Sequence, residues 1–140
     1  MSTSKQQPSH TSASEAVTHD VRVEVESQYL AGHSEPFESK WAFSYTVRIT
    51  NEGNETVKLL SRHWIVTDAN DETEETKGAG VVGKQPVLGP GESFEYTSWC
   101  PLKTPSGVMR GTYQMTTEDG KTFDIEIAPF VLTEPPYTVH

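Results

Sequence analysis

One cysteine, Cys100, is the only thiol in 140 residues, so no intramolecular disulfide can form and the chain suits a reducing compartment. Zinc ligands are missing as well, because no His-x-x-x-His or Cys-x-x-Cys pair occurs. His10, His19, His33 and His140 fall in tails or a loop, and only His63 lies within an apolar segment. No apolar run approaches the ~20 residues of a membrane span. The opening MSTSKQQPSHTSASEAVTHD has no apolar centre of a secretory leader, so a cytoplasmic protein is expected. Positive charge is scarce, with 11 Lys and Arg against 20 Asp and Glu and a net charge of -9. Such a field repels phosphate backbones and anionic lipid, and neither nucleic acid nor membrane is expected as a partner.

Residues 1–19 are also poor in apolar side chains. Segments of that composition do not bury enough surface to offset the entropy of ordering, so they read as a disordered tail. Residues 20–132 read as one domain, and Pro135-Pro136 marks 133–140 as a short extended C-terminal tail.

Within the domain the dominant period is two, the mark of half-buried strands. Val21, Val23 and Val25 share a face. Trp41, Phe43, Tyr45, Val47 and Ile49 share another, with Ser44, Thr46, Arg48 and Thr50 opposite. The run from Val57 to Val66 is apolar or aromatic on both faces, as for a central strand. Phe94 and Tyr96 open a further strand. Met109, Tyr113 and Met115 alternate, as do Phe123, Ile125 and Ile127, and Asp119-Gly120 between them predicts a hairpin with a type I′ turn. Pro90-Gly91 predicts a type II turn. Pro101, Pro105 and Gly107 predict a rigid loop over Cys100–Val108. The sum is an all-β, antiparallel β-sandwich of seven to eight strands, immunoglobulin or fibronectin type III-like.

KGAGVVGK, Lys77 to Lys84, matches both the dinucleotide fingerprint and most of a P-loop. Both need a helix directly after the glycines, and Pro86 forbids one. The P-loop hydroxyl is replaced by Gln85. A narrower reading remains: Gly78, Gly80 and Gly83 form a backbone nest for an anion, flanked by Lys77 and Lys84. Against it stands a purely structural role for the glycines at a bulge or sheet edge.

In DANDETEE, Asp68, Asn70, Glu72 and Glu74 follow the first spacings of a calcium loop. Thr73 then stands where glycine is required and Ala79 where the bidentate glutamate belongs, so a solvated loop is expected and no metal site. Cys100 has only His63 as a conceivable activating base. Trp64 reads as core. Trp99, if exposed beside Pro101 and Pro105, becomes an anchor for recognising a partner.

LLSRHWIVTDAN, GAGVVGKQPVLGPGESFEYTS, CPLKTPSGVMRGTYQM and FDIEIAPFVL, in this order, resemble the ApaG (CorD) family, from about Asp20 to Leu132. The resemblance implies a fibronectin type III-like sandwich, a link to cobalt resistance and magnesium homeostasis in bacterial members, and a protein-interaction role in eukaryotic ones. It also implies departures here: Lys84 where many members are acidic, Asn70-Asp71 where Asn-Gly is common, and Trp99 where glycine often precedes the Cys-Pro pair.

The expected function is therefore a non-enzymatic binding module with a protein partner and no cofactor. The alternatives are a phosphate or nucleotide sensor at residues 77–84 and a hydrolase of a phosphorylated metabolite. Exposed sheet edges add a homodimer to the expectations.

Overall fold

The computed structural model describes residues 11–135. It contains nine strands: β1 (Thr11–Thr18), β2 (Val21–Tyr29), β3 (Trp41–Asn51), β4 (Val57–Asp68), β5 (Thr73–Ala79), β6 (Val87–Leu88), β7 (Ser93–Leu102), β8 (Ser106–Thr117) and β9 (Thr122–Thr133). Two antiparallel sheets, β1-β2-β3-β7 and β5-β4-β8-β9 with β6 beside β4, face each other as a β-sandwich. No helix among the described residues is long and apolar enough to cross a membrane.

Each alternating run turns its apolar set inward. Val21, Val23, Val25, Phe43, Val47 and Ile49 of one sheet meet Leu59, Tyr113, Met115, Ile125 and Ile127 of the other, all buried. Each such side chain contributes about 1.5–3 kcal/mol when fully removed from water. Bulges let two strands keep feeding this core. In β9 the register slips opposite Arg110, so the inward phase passes from Ile125 and Ile127 to Phe130 and Leu132. Ala128 and Pro129 together stand opposite the single residue Arg110, and a bulge is where a strand tolerates proline.

Four sequence expectations change. The expected tail 1–19 is instead ordered from residue 11, residues 1–10 lying outside the description; residues 136–140 of the expected C-terminal tail lie outside it too. Thr11–Thr18 is a strand paired along its whole length with β2, and its hydroxyls also serve the edge of β9. Ser14 Oγ donates to Ala128 O at 2.8 Å, while Ser12 Oγ and Thr18 Oγ1 accept from Val131 N and Glu126 N at 3.1 Å each. Polar composition thus closes one side of the sandwich by hydrogen bonds. The loop expected over Cys100–Val108 shrinks to Lys103–Pro105, because β7 runs to Leu102 and β8 begins at Ser106. Asp119-Gly120 is not type I′: only Gly120 has positive φ, 88°, and the loop closes through Gly120 N to Thr117 O at 3.0 Å and Thr117 N to Lys121 O at 2.9 Å. A three-residue loop needs one left-handed residue rather than two. Finally, β5 arises within the acidic segment; as a solvent-facing edge strand it needs no apolar alternation.

The Pro90-Gly91 turn matches expectation, with Gly91 at φ 83° and Glu92 N bonded to Gly89 O at 3.0 Å. Buried Asn51 staples the neighbouring connection, its Nδ2 donating to Glu55 O at 2.7 Å and Leu88 O at 2.9 Å.

Candidate functional site

The β1 and β9 edges close on each other, so the opposite side, between β5 and β7, is where the space between the sheets reaches solvent. Two features lie along it.

The first is built by the glycine motif. Lys77 and Gly78 belong to β5, and Val81-Val82-Gly83-Lys84 is a tight two-residue turn. Val82 and Gly83 both have positive φ, 44° and 79°, and Val81 N and Lys84 O, 2.8 Å apart, close the turn. These are the angles of a type I′ turn. Gly80 N donates to Leu60 O at 2.9 Å, and Gln85 Nε2 donates to the same carbonyl at 2.9 Å. Three amides of the imagined nest, those of Gly80, Val81 and Lys84, are therefore spent within the fold. A Cβ on Gly80 would lie 2.2 Å from Lys84 O, so substitution there disturbs the fold before it tests any ligand.

Leu60, around which this loop wraps, is the extra residue of a β4 bulge. The bulge reverses the strand's phase: Val57 and Leu59 face the core before it, Arg62 and Trp64 after it. Arg62 consequently lies opposite Tyr113 and reaches the opening, where Nη1 donates to Ala79 O at 3.0 Å and Gly80 O at 2.8 Å. Here the guanidinium lines a slot of 280 Å³ together with Tyr45, Tyr96, Ser98 and the Val81–Gly83 turn. Lys77 and Lys84 do not line it. The Tyr96 and Tyr113 hydroxyl oxygens lie 2.5 Å apart, and Tyr45 and Ser98 line the slot beside them. Burial raises all three phenol pKa values, so these groups stay protonated near neutrality.

The second feature is the outer face of β7. Trp99 and Pro101, two residues apart, project to the same side. Trp99 is 60% exposed, its ring packed edge-on against His33 at 5.6 Å. Pro101 borders a cleft of 400 Å³ floored by Trp41, Ala42, Val66 and Leu102 and rimmed by Lys40, Lys103, Asp68, Glu72 and Glu74. Pro105 is exposed in the β7–β8 connection and does not line this cleft.

The remaining candidates separate. Cys100 points into the core, and burial, with the nearby Glu74 charge, pushes its thiol up to about 11. His63 is directed outward onto Glu75, Nε2 to Oε1 2.8 Å, on the other sheet. Trp64 is buried among Tyr45, Tyr113 and Phe130. In the acidic segment Asp68 Oδ1 accepts from Asn70 N and Glu72 N at 2.8 and 3.0 Å, forming the β4–β5 turn. Residues 73–79 are extended rather than the second half of a cation loop.

Arg62, Tyr45, Tyr96 and Ser98 were not identified by their sequence context. A strict period of two puts Arg62 on the outer face, and only the Leu60 bulge brings it in.

A family model described as the ApaG domain matches residues 31–117. Protein ApaG of Rhodopseudomonas palustris (strain TIE-1) is 55% identical over 120 residues, covering 86% of this chain and 92% of that protein. Protein ApaG of Anaeromyxobacter dehalogenans (strain 2CP-C) is 55% identical over 122 residues, covering 87% and 96%. A crystal structure from Bordetella pertussis described as an ApaA protein superposes with a TM-score of 0.82 at 49% identity, over 84% of this chain and 96% of its own.

Proposed function

Because the chain belongs to the ApaG domain family, we propose that it is a non-catalytic binding module that engages a protein partner in the cytoplasm through the outer face of β7. The observation that carries this reading is Trp99. A tryptophan 60% exposed on a rigid strand, steadied by His33 and next to an apolar-floored cleft, has the composition of an interface anchor. Burying that ring on association supplies a large apolar area at small entropic cost, since it moves about only two torsions. The mixed charges at the cleft rim suit a polar rim around an apolar centre.

An influence on cobalt and magnesium handling is, on this reading, exerted through the partner. Asp68, the first carboxylate of the acidic segment, already serves its own turn. The edges β5 and β7 carry charge and proline, devices that restrain strand pairing between copies, so recognition uses the face rather than the edge.

The test is affinity capture with the full chain and with Trp99→Ala, each checked by thermal unfolding. The expected result is a specific protein retained by the wild type and lost by an equally stable Trp99→Ala. Capture that does not depend on Trp99 contradicts the assignment of this face.

A further inference from the structure

We propose a second, separate site: the Arg62 slot binds a phosphoryl oxyanion, either free phosphate or the terminal group of a phosphomonoester, by side-chain donors rather than by the glycine-loop amides. It shares no lining residue with the cleft beside Pro101 and does not include Trp99, so the two readings stand or fall separately.

The first feature is the charge of Arg62. The chain has an excess of acids, yet among the described residues no carboxylate lies within 4.0 Å of Arg62. The half-buried guanidinium thus has two neutral carbonyls, and no counter-charge, as its partners among the described residues. The second is preorganisation. Nη1 is fixed by Ala79 O and Gly80 O, while Nε and Nη2 make no hydrogen bond to any described residue. Gly78 leaves the room in which the guanidinium sits, since a Cβ there would come within 2.7 Å of Nη2. A planar fork held in this way matches two oxygens of phosphate.

The third is the surrounding chemistry. Tyr45, Tyr96 and Ser98 line the same slot with hydroxyls, which donate while protonated. If buried Tyr113 donates to Tyr96, the Tyr96 proton is released toward the slot. At 280 Å³ the slot falls just below the usual range of drug-sized ligand pockets, sized for one anionic head group rather than a nucleotide. The wall is finished by Val82, a β-branched residue held at φ 44°. Strain of this kind persists where surrounding structure enforces it, often at ligand sites.

The experiment is a titration of the full chain, labelled with ¹⁵N, with inorganic phosphate, glycerol phosphate and acetate, following the arginine Nε–H signals. The expected result is a saturable shift of the Arg62 signal by phosphate and only small, linear drifts at Arg22, Arg48 and Arg110. Arg62→Gln should weaken binding by about tenfold or more, Tyr45→Phe by about fivefold, and Arg62→Lys should retain part of the affinity. Lys77→Gln with Lys84→Gln should leave affinity within about twofold, since neither lysine lines the slot. Binding of glycerol phosphate as well as phosphate identifies a terminal phosphoryl group; binding of phosphate alone identifies the free ion. No saturation at Arg62 in the folded wild type into the millimolar range, tighter binding of acetate, or loss of binding only in the lysine variant overturns the proposal.

Discussion

Arg62 and Gly78 face each other across β4 and β5, and the guanidinium occupies the space that a side chain on residue 78 would need. Gly111, on β8, faces Trp64 with a harder obstacle, since a Cβ there would lie 2.1 Å from His63 O. The two glycines therefore respond differently to alanine. In Gly78→Ala the flexible Arg62 end swings away, and the loss of its bonds to Ala79 O and Gly80 O costs about 1–2 kcal/mol. In Gly111→Ala the backbones of β4 and β8 must separate, at a cost on the order of 4 kcal/mol or more. Urea unfolding of both variants checks this, and equal costs would contradict it.

Val82 sits at φ 44° in a turn whose second central residue, Gly83, is already glycine. A β-branched residue in that region costs about 1–2 kcal/mol, whereas Asn-Gly is the preferred pair for a type I′ turn. Val82→Asn should stabilise the chain by about 1 kcal/mol and raise Tm by roughly 4 °C. Calorimetry reads the shift, and a lowered Tm would mean that Val82 contributes packing that outweighs its strain.

At high pH the buried phenols and thiol govern stability. Burial raises Tyr45, Tyr96 and Tyr113 above the usual tyrosine range, and Cys100 to about 11. Raised folded-state values mean that the unfolded chain loses its protons first. Stability is thus fully present below the unfolded values, about 8.5 for the thiol and about 10 for tyrosine, and falls as pH climbs through the folded ones. These three tyrosines should form tyrosinate only together with unfolding, and Cys100 should react slowly with iodoacetamide at neutral pH and fast in urea. Stopped-flow absorbance and alkylation rates test this; rapid tyrosinate formation or alkylation in the native fold would contradict it.

The β1 strand protects the edge of β9 through Ser12, Ser14 and Thr18. Deleting residues 1–18 should expose that edge and produce dimers or aggregates, because an unpaired edge is a template for another chain. Light scattering behind size exclusion distinguishes this from a monodisperse monomer, the result expected of a dispensable tail.

The same strand shows why sequence reading stops where it does. The alternations at Val21–Val25 and Trp41–Ile49 reveal strands because each places an apolar set on one face. β1 gives no such signal, since it is held by backbone pairing with β2 and by hydroxyl bonds to a distant edge rather than by an apolar face. Trp99 was legible as a candidate anchor from its aromatic type beside prolines. Its exposure follows from the phase of β7, which turns Tyr96, Cys100 and Leu102 inward. Arg62 was hidden by a single inserted residue, Leu60, which nothing in the sequence distinguishes from the core-facing Leu59 before it. Lys77 and Lys84 drew attention by spacing to Gly80, while the fold leaves them outside the slot.

Photo-crosslinking in living cells, with benzoylphenylalanine at position 99 and, as control, at position 95 farther along the same exposed face of β7, decides whether that face docks a partner at Trp99. If β7 docks a partner at Trp99, position 99 gives a discrete protein adduct that is absent or much weaker from position 95. Indistinguishable patterns from the two positions, or no adduct from position 99 in folded protein, would contradict it.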